Sequence, residues 1–523
     1  MPEPRAPQEA RRLPRALSVS LQVLAWVVVA LSAVAIGLAR WTLRTFGSIT
    51  PDQALLNLRG AGQEGGGGSE LIVEAVVASA VIPLALVSLV CGGFYFLRRR
   101  VVRRNVNQKL SSHGFAAALT VLAVAMPVAG AGSIDSALQV RQYIASSDPS
   151  LDVGAYYVQP ERLEQPSGDK PNLVLIYLES IEDTFQDEGL FGVDMLADLT
   201  RATENWDTID ALEQYPGGGW TMSGIVSTQC GVPLRSSSAS GVTSTDTTDQ
   251  AGVLNKFQGE NYMAGAQCLG DVLAENGYQN VYLGGARAAF AGKGSFLTTH
   301  GYDKVLDLEH WDAQGEVEKS ERWGLSDRRL LENAKSEILS LRESGEPFNL
   351  TMLTLDSHEP AHLFPYCEPV NDLDTTSVTT CSMNVVADFV TFLEDEGFLD
   401  DTVVVVMGDH LKFPATANSY FEELTSTENR TIFNRISVPS ELEIKEATVD
   451  QLGVYPTILD ALGFQLQDGQ AGLGVSAFHH GTPIQSLRSL NADEYETIIR
   501  SRSQDFYDAL WGLDTLVAQP PEQ

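Results

Sequence analysis

Asn172-Leu-Val-Leu-Ile-Tyr-Leu-Glu179-Ser180 and, much later in the chain, Val403-Val-Val-Val-Met-Gly408-Asp409-His410 are built alike. Each is an apolar, largely β-branched or aliphatic run that stops at hard oxygen or imidazole ligands. Continuous apolar runs of this length read as strands of a parallel sheet buried on both faces. In such sheets ligands bind beyond the carboxyl ends of the strands. Leu353-Thr-Leu-Asp356-Ser-His358 ends in the same way, and Gly217-Gly-Gly-Trp-Thr221-Met-Ser-Gly224 sets a hydroxyl behind three glycines. Glu179, Asp356, His358, Asp409 and His410 are therefore expected at one sheet edge, with Thr221 completing the cluster and Asp356 supporting His358. Gly408 is expected to let the backbone turn there. Strand-like runs at 172–178, 280–283, 348–355 and 402–407 alternate with helix-like stretches at 193–204, 326–343, 382–396 and 450–462. That alternation predicts an α/β fold with a mainly parallel central sheet.

Working outward to the N-terminus, three apolar runs come first, at about 16–39, 75–97 and 114–134. Each is long enough to cross about 30 Å of hydrocarbon as a helix. A cleaved signal peptide is disfavoured because the first run is too long and further spans follow it. Pro83 and Pro127 lie inside the second and third runs, which membrane helices tolerate. The densest basic cluster, Arg98-Arg-Arg-Val-Val-Arg103-Arg104 with Lys109 behind it, follows the second run, and Arg11, Arg12 and Arg15 precede the first. Positive charge marks the cytoplasmic side. The 40–70 loop, a polar stretch with Gly65 to Gly68, then faces out, and three spans put everything after about residue 135 outside the cytoplasm.

Charge divides the 523-residue chain the same way. Residues 1–145 hold 14 Lys+Arg against 7 Asp+Glu, and the rest holds 21 against 61, within a net charge of −33. So acidic a globular part argues against nucleic acid as a partner. Four of the five cysteines lie there: Cys230, Cys268, Cys367 and Cys381. An extracytoplasmic location permits disulfides, and the locally shortest pairings are Cys230–Cys268 and Cys367–Cys381. Free buried thiols are the alternative. The expected organisation is a cytoplasmic 1–15, a membrane domain 16–140, a linker 141–169, a catalytic domain 170–490, and a C-terminal helix and tail 491–523. The Ser/Thr-rich stretch Ser236–Thr248 reads as a surface loop.

The residue types point to metal chemistry. Carboxylate plus neutral imidazole suits Mn²⁺, Mg²⁺ or Zn²⁺. A threonine hydroxyl is a poor nucleophile near neutral pH, and a divalent cation lowers its pKa and orients it. A helix opening at Thr221 would offer free N–H groups to a phosphate; the plainer reading makes Thr221 a helix cap. His358 is placed to give a proton to a leaving alkoxide or to bind a phosphoryl oxygen. Lys293, between glycines, can hold a phosphate as a point charge, with Arg287 as its rival. Trp323 lies near a helix entry at Ser326 or Asp327 and is a candidate pocket wall.

The ordered series Glu179-Ser180, Trp220-Thr221-Met-Ser-Gly-Ile-Val226, Gln229-Cys-Gly-Val-Pro-Leu234, Cys268-Leu-Gly-Asp271, Gly284-Gly-Ala286, Phe290-Ala-Gly-Lys-Gly294, Leu353 to His358 and Gly408-Asp-His410 resembles the phosphoglycerol transferase I family. That family is related to lipoteichoic acid synthase within the sulfatase/alkaline phosphatase superfamily. The resemblance covers roughly residues 170–475 and implies a sulfatase-like α/β sandwich behind the three membrane helices. It implies one divalent metal, Mn²⁺ or Mg²⁺, bound by Glu179, Thr221, Asp409 and His410. It further implies that Thr221 attacks phosphatidylglycerol, releases diacylglycerol and passes sn-glycerol-1-phosphate to an envelope glycan or lipoglycan. The chain departs from lipoteichoic acid synthases at 290–294, where Phe-Ala-Gly-Lys-Gly stands in place of a histidine-bearing stretch. A phosphoethanolamine transferase of the same superfamily and an inactive sulfatase-like binding module are the rivals. A true sulfatase needs Cys/Ser-x-Pro-x-Arg, and residues 221–225 are Thr-Met-Ser-Gly-Ile.

Overall fold

The computed structural model describes residues 15–60, 68–104, 108–146, 150–160, 163, 170–237, 261–416, 418–439 and 442–513. Arg11, Arg12, most of the glycine run and the Ser/Thr-rich stretch from 238 onward lie outside them. The chain divides into two compact units, 1–49 with 70–141, and 50–69 with 142–523.

In the first unit three helices are long and apolar enough to cross a membrane: Val19–Thr45, Ile72–Val101 and His113–Leu138. The first belongs to α1 (Arg15–Thr45), the second runs into α2 (Ile82–Arg104), and the third belongs to α3 (Gln108–Leu138). Just before α2 the helix widens into a π turn, Val77–Val81, where the Ile82 N–H reaches Val77 O. Pro83 explains the widening: it has no N–H to give to the carbonyl one turn earlier, so the local hydrogen-bond pattern shifts. Gly37 lets α1 approach here, since a Cβ at that position would lie 2.7 Å from Pro83 Cγ.

The second unit is built on a six-stranded sheet. Its strands are β1 (Asn172–Leu178), β2 (Gln279–Gly284), β3 (Lys304–Leu306), β4 (Phe348–Leu353), β5 (Thr402–Gly408) and β6 (Asn434–Ser437). Their order is β3-β2-β4-β1-β5-β6. All pairs are parallel except β5–β6. The strand interiors carry continuous apolar side chains because both faces are covered. Leu173, Leu175 and Tyr177 of β1 enter one core with Met222, Ile225 and Val226 of α4 (Thr221–Cys230) and Leu452 and Tyr455 of α7 (Gln451–Ala461). Val174, Ile176 and Leu178 enter the other with Leu330, Leu331 and Ile338 of α5 (Asp327–Ser344) and Met383 and Val386 of α6 (Asp374–Asp395).

Several elements differ from the sequence reading. The short edge strands β3 and β6 have too few apolar residues to announce themselves. α6 begins at Asp374, well before 382, because its first turns are Thr/Ser-rich yet buried at Thr375, Thr376 and Ser377. The C-terminal helix is two helices, Ala492–Ile499 and Gln504–Leu510. Between them the Arg502 N–H bonds Ser146 O, and Ser503 Oγ accepts from Val153 N and donates to Leu151 O. Residues within the expected linker are thereby packed in, with Val153 fully buried. The polar 40–70 loop contains a helix, Pro51–Gly60, that is part of the second unit. Its Asp52 is buried and receives Ser236 N at 3.3 Å and the Arg235 guanidinium at 3.5 Å. The structure joins Cys230 to Cys268 and Cys367 to Cys381.

Candidate metal and nucleophile site

The register of the sheet sets the site. Leu178 lies opposite Gly408, so the residues that follow, Glu179 and Asp409, leave adjacent parallel strands side by side. Gly408 is needed for close approach, not for a turn as the sequence suggests: a Cβ there would sit 1.9 Å from Ile181 O. The chain turns one residue after Glu179 instead, at Ser180, whose φ is +57°. Ser180 N and His410 N both donate to Asp409 Oδ1, at 2.8 and 2.9 Å. Ser180 Oγ donates to Glu179 Oε1 at 2.6 Å. From β4 the exit loop is tied in by Ser357 Oγ, which donates to Glu179 O at 2.6 Å.

The ligand atoms of Glu179, Asp409 and His410 all lie within 4.8 Å of one another, and all three side chains are buried. His410 Nδ1 faces Leu411 O at 2.9 Å. A carbonyl only accepts, so Nδ1 carries the proton in the neutral ring and Nε2 keeps its lone pair. That Nε2 lies 3.5 Å from Asp409 Oδ2 and 3.8 Å from Glu179 Oε1. Asp409 Oδ2 is buried without a hydrogen-bond partner among the described residues. Three groups bring their lone-pair atoms together, and Asp409 Oδ2 has no donor among the described residues. Burial and the neighbouring Glu179 charge accordingly push Asp409 up to about 7. This donor set fits a hard divalent cation. A second grouping, Cys268, Asp271 and His300, does not, because Cys268 is in a disulfide and has no thiolate to offer.

Thr221 is the first residue of α4, and its cap is Trp220, whose side chain makes no capping bond. Thr221 is therefore not the helix cap, and its Oγ1 donates to Glu179 Oε2 at 3.2 Å. α4 reaches this position because Gly224 presses against the Asp409 backbone; a Cβ would lie 2.2 Å from Asp409 O. Gly224→Ala is expected to push α4 and Asp409 apart, cost roughly 1–3 kcal/mol of stability, and weaken metal binding at least tenfold by calorimetry. Unchanged metal affinity would show that this contact does not position the cluster.

The remaining candidates divide. His358 is half-buried, and desolvation holds its pKa below the ordinary value. Its Nδ1 faces Glu359 O at 2.8 Å, leaving Nε2 as the acceptor, and its ring lies 3.9 Å from that of Trp323. Trp323 Nε1 is buried with no partner among the described residues. Lys293 is buried at the start of a helix, with Nζ 5.8 Å above the Tyr282 ring and within the fields of Glu179 and Asp409. Burial lowers it to about 8. Arg287 is not in this cluster: its guanidinium pairs with Glu309 at 2.6 Å on a partly exposed surface. Asp356 is not part of the Glu179–Asp409–His410 grouping; its carboxylate receives Asp327 N at 3.0 Å and Tyr366 OH at 3.1 Å.

Two contributors, Lys412 and Glu182, escaped the sequence reading, and a third, Asp327, reads there only as a helix-entry residue. Lys412 is buried, with Nζ 3.4 Å from Glu359 Oε1. Asp327 accepts from Leu355 N at 2.6 Å and Asp356 N at 3.0 Å, so it holds the loop that carries His358. Glu182 is fully buried, takes the Lys412 N–H at 3.1 Å, and is forked by Arg430. The signals were present in Glu179-Ser-Ile-Glu182 and Asp409-His-Leu-Lys412, but a charge two or three residues from a ligand is usually solvent-facing. Arg430→Gln strands the Glu182 charge and is expected to cost about 3–5 kcal/mol, read as a lower denaturation midpoint. A loss under about 1 kcal/mol, the range of exposed pairs, would contradict the burial argument.

Residues 171–464 match the sulfatase family. The chain belongs to the sulfatase family. Among curated proteins, this sulfatase-family chain is 31% identical over 452 residues to phosphoglycerol transferase I of Xanthomonas campestris pv. campestris, covering 82% of the chain and 60% of that protein. It is 31% identical over 399 residues to phosphoglycerol transferase I of Escherichia coli O127:H6, covering 73% and 47%. The chain thus spans about half to three-fifths of the length of these relatives. Among solved structures it is similar to an alkaline phosphatase superfamily protein from Vibrio parahaemolyticus, with TM-score 0.48, 18% identity, and coverage of 71% of this chain and 97% of that one. It is also similar to the lipoteichoic acid synthase LtaP of Listeria monocytogenes, with TM-score 0.46, 15% identity, and coverage of 67% and 96%.

Proposed function

We propose that the chain is a membrane-anchored phosphotransferase that moves the glycerophosphate headgroup of phosphatidylglycerol onto a hydroxyl of a cell-envelope glycan or lipoglycan. The observation that carries this reading is Thr221 Oγ1 at 3.2 Å from Glu179 Oε2, on the first turn of a helix facing the Asp409–His410 pair. The naming of the curated relatives as phosphoglycerol transferase I supports the choice of donor. Glu179, Thr221, Asp409 and His410 would hold the metal, Mn²⁺ or Mg²⁺. When bound, such an ion lowers the pKa of a ligating hydroxyl and neutralises phosphoryl oxygens.

The residues of the chain then divide the work. In the first half, Thr221 Oγ forms a bond to phosphorus and the bond from phosphorus to the diacylglycerol oxygen breaks. The net proton passes from Thr221 to that oxygen. In this reading His358, with Nε2 unprotonated, takes the proton and hands it on. In the second half the acceptor hydroxyl attacks phosphorus, the Thr221 ester bond breaks, and the acceptor's proton returns to Thr221 Oγ. The first N–H groups of α4 and the Lys293 ammonium hold the phosphoryl oxygens, with the Trp323 indole N–H as a further donor. The charge pattern supports this reading: with the 98–104 arginines on the cytoplasmic side, three spans would leave the catalytic part on the outer side, where the lipid headgroup lies.

The test supplies the purified full chain with phosphatidylglycerol labelled in its terminal glycerol, Mn²⁺ and a glucan acceptor. Diacylglycerol release matched by a glycerophosphate adduct is expected. Transfer from phosphatidylethanolamine in its place would move the reading to a phosphoethanolamine transferase, and no turnover of either lipid would sink it.

A further inference from the structure

The membrane unit holds a cleft that this chemistry leaves unused. It has a volume of about 510 Å³ and lies between the first two membrane-length helices, with Leu122 and Met126 of the third also lining it. Along several turns its wall is apolar, from Trp26, Val29 and Ile36 on one side to Ile82, Leu86 and Val90 on the other. Its polar lining is gathered in the last turns of α1 and the facing start of the second helix: Arg40, Trp41, Arg44 and Glu74. Arg40 and Arg44 are four residues apart and so share one helix face. Both are exposed, and neither forms an ion pair or hydrogen bond among the described residues. Trp41 Nε1, between them, is a buried donor without a partner among the described residues. Glu74 cancels one of the two positive charges and leaves a net positive end.

A cleft this apolar within hydrocarbon fills with lipid chains. What sets it apart from the ordinary lipid-facing surface is its end, where two guanidinium groups and an indole N–H, without partners among the described residues, make a site for a phosphodiester. We propose that the cleft seats an acyl chain of an anionic glycerophospholipid, with its phosphate held at the Arg40–Arg44 end. This rests on the reading above that phosphatidylglycerol is the donor and that this end faces outward. The cleft then selects the anionic lipid from a mixed leaflet before any transfer occurs, and does so through the membrane helices.

The experiment uses the full chain carrying Thr221→Ala, so that lipid is bound and not consumed. It is reconstituted in vesicles containing phosphatidylglycerol with a photoactivatable diazirine midway along one acyl chain. A phosphatidylcholine probe of identical chains is the comparator. After illumination, label is expected in peptides from 22–44 and 78–90, with phosphatidylglycerol labelling them about tenfold more than phosphatidylcholine. Adding Arg40→Gln and Arg44→Gln is expected to abolish that excess. Label spread evenly over all three helices, equal labelling by the two probes, or an excess that survives the double substitution would each overturn the proposal. The transfer assay above separates the two readings. Selective labelling in a protein whose wild type releases no diacylglycerol sinks the donor reading and leaves the cleft standing. Release without selective labelling does the reverse.

Discussion

Thr221→Ala is expected to lower transfer from phosphatidylglycerol by about a thousandfold or more while the protein stays folded. Among the described residues Thr221 Oγ1 has one hydrogen bond, to Glu179 Oε2, and the side chain is only partly buried. Removing it creates no core cavity, and Ala is a good residue for the first turn of a helix. Circular dichroism and the melting temperature should therefore change little. Metal should still bind, more weakly, through Glu179, Asp409 and His410. The informative measurement is mass spectrometry of protein quenched during turnover without acceptor: the wild type should carry a glycerophosphate ester on the peptide containing Thr221, and the variant none. Thr221→Ser keeps a hydroxyl and should restore part of the rate. A variant with no hydroxyl that still turns over at the normal rate would remove Thr221 from the nucleophile role. Loss of activity with loss of fold would be settled by the serine variant.

The sequence disclosed the strand-end residues and concealed the reason they meet. β1 and β5 were legible because an unbroken apolar run has few other readings, and Glu179 and Asp409 stood out as charges at the ends of such runs. That Glu179 lies beside Asp409 depends on Leu178 pairing with Gly408, a register that no local pattern encodes. Glycines were the easiest residues to misjudge. Gly408 suggested a turn and proved to be a close approach to Ile181 O, while the left-handed turn fell on Ser180. Gly224 had no local signal at all, since its purpose is the Asp409 backbone across the sheet edge. The helix Pro51–Gly60 was hidden for a related reason. Its composition is that of a polar loop, and its anchor is a buried partnership between Asp52 and Arg235. Between Lys293 and Arg287 the sequence had no means to choose, because burial decides which cation keeps its charge free of a surface partner such as Glu309.

The same burial makes the metal-free protein sensitive to pH in a direction that can be worked out. Burial first, and the Glu179 charge second, raise Asp409 from the ordinary 3.8 to about 7. A carboxyl whose pKa is higher folded than unfolded binds its proton more tightly in the folded state. Its stabilisation is complete below about pH 4 and is lost as pH rises through 7. Glu179 is shifted the other way: burial raises it, but His358, His410, the Ser180 hydrogen bond and Lys412 together outweigh that and lower it. Its contribution is lost only on acidification below the ordinary carboxylate range, so of these two carboxylates Asp409 is the one whose contribution changes between pH 5 and 7. Across the full range the loss is of the order of 2–4 kcal/mol. Asp409→Asn keeps the acceptor for Ser180 N and His410 N but carries no charge. It should flatten the fall in melting temperature that the metal-free wild type shows from pH 5 to 7, and be the more stable of the two at pH 7.5. Metal reverses the ranking. At a hundred times its dissociation constant, Mn²⁺ should stabilise the wild type by about 2.7 kcal/mol and leave the asparagine variant unmoved, since an amide oxygen is a poor substitute for a carboxylate ligand. Transfer activity should fall by about a thousandfold or more with it. Equal pH slopes for the two metal-free proteins would mean that Glu179 and Asp409 are not in electrostatic conflict, and a Mn²⁺-induced rise retained in Asp409→Asn would mean that the ion is held elsewhere.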